Sequence, residues 1–190
     1  MNRRDWLKLL ASTPFAGLAV AWLPRAAFAK DAGQAMVEKL QKNWRALLAD
    51  GADVARTTEP LKLSDAQWKQ RLSRDAYEVL RHEGTEPPGT SPLDHEKRPG
   101  VFVCAGCRLP LFTSAMKFDS GTGWPSFFTT IPGAVATRRD YQLIIPRTEY
   151  HCVRCGGHHG HVFDDGPPPT GLRYCNNGVA LAFIPKNGAT

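Results

Sequence analysis

The 190-residue chain lacks the marks of several protein classes. It has no long basic run, and its formal charge of +6 is scattered, which gives little attraction to nucleic acid or anionic lipid. It has no internal repeat beyond two C-x-x-C pairs, which excludes a solenoid or propeller, and its low-complexity sequence is confined to "GPPPTG" at 166–171, a stiff loop. No apolar stretch reaches the ~20 residues of a membrane-spanning helix. The longest, Leu9 to Leu23, is interrupted by Ser12, Thr13, Pro14 and Gly17. Cysteines number only five, and the odd count leaves at least one free, bound to metal or joined to another molecule.

The first thing present is a leader. Arg3 and Arg4, followed by Asp5 and Lys8, form a twin-arginine pattern, and Ala27-Phe28-Ala29 is a small-x-small cleavage site. The expectation is a signal peptide at 1–29, export to the periplasm by the twin-arginine route, and no stable membrane association after cleavage. Three of the six net positive charges leave with it. The remainder suits one domain. We place a helical extension at 30–63 and the functional domain at 64–190.

From Asp31 to Asp50, Met36, Val37, Leu40, Trp44, Leu47 and Leu48 fall at three- and four-residue steps, the stripe of a surface helix. A second helix is expected over "LSDAQWKQRLSRDAYEVL", capped by Ser64, with Trp68, Leu72, Ala76 and Leu80 on one side. Beyond Arg81 the texture changes to turns rich in Pro and Gly and short runs such as "GVFVC", "YQLIIP" and "ALAFIP", which suggest small antiparallel sheets. The reading is a mainly β domain with N-terminal helices.

Cys104-Ala-Gly-Cys107 and Cys152-Val-Arg-Cys155 present two sulfurs each from a tight turn. Two such knuckles supply the tetrahedral S₄ set that structural zinc prefers. Two disulfides, or one C-x-x-C working as a redox couple, are the alternatives. A redox pair normally opens a helix, whereas these pairs sit in strand and turn sequence. The twin-arginine route also carries proteins already folded with metal loaded. His151 stands beside Cys152, but two complete pairs make it unnecessary as a ligand.

Cys175 stands alone in "RYCNNG". In a strand, Arg173, Cys175 and Asn177 share one face, so a cation and an amide accompany the thiol. Such company lowers a thiol pKa from about 8.5. Upstream, His158, His159 and His161 lie among glycines and before Asp164 and Asp165. These imidazoles move protons near neutral pH, and a carboxylate fixes their tautomer. Trp124, between Gly123 and Pro125, offers an apolar wall. A nucleophile, a proton donor and a wall are legible; the electrophile is not.

With these residues in place, "GTE" at 84–86, "CAGCRLPLF", "KFDSGTGWPSF", "RTEYHCVRCGGHHGHVFDDGPPPTGLRYCNN" and the final "LAF" resemble, in order, the signatures of the methionine-R-sulfoxide reductase B family over about residues 64–184. The resemblance implies reduction of methionine-R-sulfoxide in oxidised proteins or peptides. Cys175 attacks the sulfoxide sulfur, oxygen leaves as water, and a sulfenic acid forms on Cys175. It implies proton handling by His158 and His161 with Asp165 near them, Arg173 and Asn177 flanking the nucleophile, and Trp124 receiving the substrate methyl. Cys104, Cys107, Cys152 and Cys155 match the zinc set, and the implied fold is two small antiparallel sheets forming a barrel-like core.

Thr122 stands where many members carry a resolving cysteine, so an external thiol, such as a thioredoxin-like partner, must reduce the sulfenic acid. Asn176 and Gly178 depart from the usual "CINS", and "PPGTSP" from a Phe-containing segment. Two rival readings remain: a non-catalytic zinc ribbon that binds nucleic acid or protein, and a C-x-x-C thiol oxidoreductase.

Overall fold

The structure, a computed structural model, describes residues 25–141 and 146–186. The leader expected at 1–29 lies outside the described residues up to position 24, and so does the centre of "YQLIIP". Among the described residues no helix is long and apolar enough to cross a membrane.

Helix α1 spans Arg25–Lys42 and a 3₁₀ turn follows at Trp44–Leu47. Of the expected stripe, Val37 is buried and Leu40, Trp44, Leu47 and Leu48 pack against the core, while Met36 stays exposed. The Gln41 side chain donates to Thr129 Oγ1 (2.9 Å) and to the Thr130 carbonyl (3.2 Å), fixing the end of α1. The single helix expected after Ser64 is two: α2, Asp65–Arg71, and α3, Arg74–His82. Ser73 is the reason. Its hydroxyl accepts from the Ala76 N–H and caps a new helix, as Ser64 caps α2 in a reciprocal box with Gln67. A serine that bonds nearby backbone competes with helix continuation.

Among the described residues nine strands follow: β1 Gly100–Cys104, β2 Pro110–Thr113, β3 Lys117–Phe118, β4 Ser126–Phe127, β5 Val135–Asp140, β6 Arg147–Cys152, β7 His158–Phe163, β8 Arg173–Asn176 and β9 Leu181–Pro185. They form two open antiparallel sheets, ordered β2-β1-β9 and β3-β4-β8-β7-β6-β5. Neither closes on itself, so the barrel-like core is in fact two open sheets sharing one core. Every residue of β1 is buried, as its unbroken apolar sequence requires. Phe102 of β1 and Phe112 of β2 meet Phe127 of β4 at ring-centroid distances of 5.0 and 4.1 Å. Each such buried side chain contributes roughly 1.5–3 kcal/mol.

The C-x-x-C turns sit where β1 and β6 end, one on each sheet. Anything that joins the four sulfurs therefore joins the sheets. In the larger sheet, β8 lies between β4 and β7, which places Cys175 opposite Ser126 on one side and His161 on the other.

Candidate active site

Cys175 is half-buried at the floor of a small pocket of about 120 Å³, lined by Trp124, Arg147, His161, Phe163, Asn177 and Thr85 among others. That volume is below the ~300 Å³ of a whole-ligand cavity, so the pocket takes the tip of a side chain. Directly opposed residues of an antiparallel pair share a face, so the His161 ring and the Cys175 sulfur are neighbours by register. Gly160 makes the approach possible, since a Cβ there would lie 2.0 Å from the Cys175 carbonyl oxygen. Trp124 is fixed by its indole N–H, which donates to the Glu86 carbonyl at 3.1 Å.

The carboxylates beside the histidines are not those expected. His161 Nε2 lies 2.7 Å from Asp140 Oδ2, which also accepts from Arg147 at 2.7 Å. His158 is buried with Nδ1 2.8 Å from Glu149 Oε1, and its Nε2 has no hydrogen-bond partner among the described residues. Glu149, 1% exposed, also meets His151 at 3.0 Å and Arg138 at 3.1 Å. Burial pushes its carboxyl up, but the contacts with His158 and His151 outweigh it and hold the group below its ordinary value. Burial pulls His161 below the usual imidazole value, with Asp140 opposing. His159 is different: it is fully enclosed, stacks near Tyr150, and burial pulls its pKa down to about 3, so it packs as a neutral ring.

Asp165 pairs with Arg173 rather than with a histidine. The guanidinium donates to both its oxygens at 2.8 Å, and the same group lies over the Phe163 ring at 4.4 Å. The family resemblance put Asp165 near the histidines, but its carboxylate is largely exposed and turned to Arg173. Asp140 and Glu149 were missed because they come from β5 and β6. The only available signal was the alternation Arg147, Glu149, His151 along "RTEYHC".

The thiol pKa also departs from expectation. Burial raises the Cys175 value, and Arg173 and the Thr122 hydroxyl pull it back without winning.

Asn177 holds the strand end in place. Its amide donates to the His159 carbonyl at 3.0 Å and accepts from the Glu86 N–H at 3.0 Å. The Glu86 carboxylate in turn accepts from the N–H groups of Gly178 (2.5 Å) and Val179 (3.0 Å). The departures at 176 and 178 now have reasons. Asn176 is fully buried, accepts from the Tyr150 hydroxyl at 2.6 Å and donates to the Asn177 carbonyl. At Gly178 a Cβ would lie 1.8 Å from Ser91 Oγ, so Ser91 of "PPGTSP" fills the space a larger residue would use.

Across the molecule, Cys104 and Cys155 sulfurs are 3.7 Å apart, Cys107 and Cys152 sulfurs 3.5 Å, and all four lie within 4.8 Å of one another. Disulfide sulfurs lie about 2.05 Å apart. Sulfurs around one tetrahedral zinc, at ~2.3 Å from it, are separated by about 3.8 Å. The four buried thiols fit a zinc ion and not two disulfides.

A half-buried thiol paired across strands with His161 is kept apart from four sulfurs that face one another, so the fold presents a candidate reactive site and, separately, a candidate metal centre. A family model described as the SelR domain matches residues 72–185. Peptide methionine sulfoxide reductase MsrB of Agrobacterium fabrum is 50% identical over 130 residues, 68% of this chain and 96% of that protein. The MsrB of Thiobacillus denitrificans is 50% identical over 132 residues, 69% of this chain and 98% of its own. The chloroplastic peptide methionine sulfoxide reductase B1 of Arabidopsis thaliana is 47% identical over 133 residues, 70% and 66% of the two chains. The chain belongs to the methionine-R-sulfoxide reductase B family.

Proposed function

We propose that this chain, an oxidoreductase by its family, reduces methionine-R-sulfoxide in proteins to methionine with Cys175 Sγ as the nucleophile. The observation that carries the reading is the cross-strand pairing of His161 with Cys175 in a pocket walled by Trp124. The pocket admits a side-chain tip, which suits the methylsulfinyl end of an oxidised methionine in a peptide.

The substrate methyl rests on the Trp124 indole and the sulfoxide oxygen faces His161. A tetrahedral sulfur held at its methyl, its oxygen and the point of attack fits in one hand only, which accounts for a single epimer. The Cys175 proton and a second proton, passed through His161, go to the sulfoxide oxygen. The Cys175 sulfur forms an S–S bond to the substrate sulfur as the S–O bond breaks and water leaves. Water then attacks Cys175 Sγ; the S–S bond breaks, methionine departs with the electron pair, and a sulfenic acid and one proton remain. Asp140 and Glu149 orient His161 and His158, and Arg173, held by Asp165, offsets negative charge on the sulfur.

Cys175 is the one cysteine outside the four-sulfur set, and Thr122 stands beside it. An external thiol, such as a thioredoxin-like dithiol, therefore displaces the sulfenic oxygen as water, and a second thiol frees Cys175, leaving the reductant as a disulfide. Cys104, Cys107, Cys152 and Cys155 would hold a zinc ion, which would supply a cross-link between the sheets. The test is epimer-resolved: the chain with a dithiol converts the R epimer of a peptidyl methionine sulfoxide and leaves the S epimer. Turnover of both epimers alike, or of neither, contradicts the reading.

A further inference from the structure

Residues 25–63 precede the stretch that the family model matches, 72–185, and they are not idle packing. After the Trp44–Leu47 turn, residues 49–63 run without helix or strand across the metal knuckles. The Ala55 N–H donates to the carbonyl of Arg108, the residue after Cys107, at 3.0 Å. The Leu61 N–H donates to the carbonyl of Arg154, the residue before Cys155, at 2.7 Å. Arg108 returns the first contact: its Nε donates to the Asp53 carbonyl at 3.0 Å and lies 3.7 Å from the Asp53 carboxylate. Val54, Ala55, Leu61 and Leu63 pack against the core at the same place.

From the other side, Arg71 donates to the Gly106 carbonyl at 2.6 Å, and Arg81 to the Cys155 carbonyl at 2.9 Å. Arg154 donates to the Cys107 carbonyl at 3.1 Å. Both C-x-x-C turns are thus tied on both sides. The four ligand residues are only 0–8% exposed, so a chelator or oxidant reaches a sulfur only after a knuckle opens.

We propose that residues 53–61 form a strap that locks both knuckles shut and slows loss of the bound metal ion. The proposal rests on reading the four sulfurs as a zinc site; it does not depend on the chemistry at Cys175. Its test is the rate at which the zinc-loaded, full-length protein surrenders zinc to a strong chromophoric chelator. Ala55→Pro and Leu61→Pro each delete one N–H and leave a carbonyl unpaired; release should quicken about tenfold. Arg108→Ala removes only the guanidinium contacts to Asp53, and about threefold is expected.

With zinc bound, sulfoxide reduction in all three variants stays near the parent rate. Release at the parent rate in all three overturns the strap. If a proline variant fails to fold, Arg108→Ala decides alone, with faster release supporting the strap and the parent rate overturning it. A parent protein that takes up no zinc refutes the zinc reading itself, a separate outcome from zinc that binds and leaves every variant equally slowly.

Discussion

Four cysteines and one cysteine occupy opposite settings in the same domain. At the knuckles, turns aim pairs of sulfurs at a common point across the seam between the sheets, within 4.8 Å and nearly sealed from solvent. In β8, extended backbone aims a single sulfur outward, between His161 and Ser126 on the flanking strands and beside Arg173. One environment supplies sulfur with sulfur and the other supplies it with a proton carrier and a cation. The residue type is the same, and backbone geometry decides whether a sulfur is placed among other sulfurs or beside an imidazole and a guanidinium.

The comparison is broken most sharply by removing one sulfur of each kind. Cys175→Ser is expected to cut sulfoxide reduction by ~10³-fold or more and to shift the melting temperature by no more than about 2 °C. Cys152→Ser is expected to cost ~4 kcal/mol or more, a fall of about 10 °C in melting temperature. Calorimetry and a turnover assay on both proteins check it. A Cys152→Ser protein that melts with the parent would remove the cross-link from the account.

A smaller effect sharpens the other half. Because burial outweighs Arg173 and Thr122 at Cys175, alkylation of the folded protein by a neutral haloacetamide should reach half its plateau rate above the ordinary thiol value of about 8.5. The sign follows from the raised value: the protonated form persists to higher pH and the reactive thiolate appears late. Arg173→Ala should move the midpoint further up, since the guanidinium favours the anion. A midpoint below that of a free thiol, or a downward move in the variant, would mean that charge and not burial governs the site.

Much of this was legible in the sequence, and the gaps have physical causes. The C-x-x-C spacing foretold the four-sulfur cluster because two intervening residues constrain both sulfurs locally. "GVFVC" and "ALAFIP" became β1 and β9: the apolar run of β1 is buried throughout, and β9, buried only at Leu181, pairs along it. The partners of His158 and His161 were illegible for the opposite reason. Glu149 and Asp140 lie 9 and 21 residues away, and only the register of β5, β6 and β7 brings them in. Asp165 looked closer along the chain and is turned toward Arg173. The thiol pKa was misjudged because a sequence shows charged neighbours but not the depth at which they sit. Periodicity also ran past Ser73, where a local hydroxyl bond starts α3 afresh.

The central claim is that Cys175 alone carries the chemistry. One turnover with a peptidyl methionine-R-sulfoxide, without reductant and in the presence of a sulfenic acid probe, followed by mass mapping, tests it directly. The account predicts stoichiometric label on Cys175 and none on Cys104, Cys107, Cys152 or Cys155. Label on any of those four, or methionine formed with no label at Cys175, would contradict it.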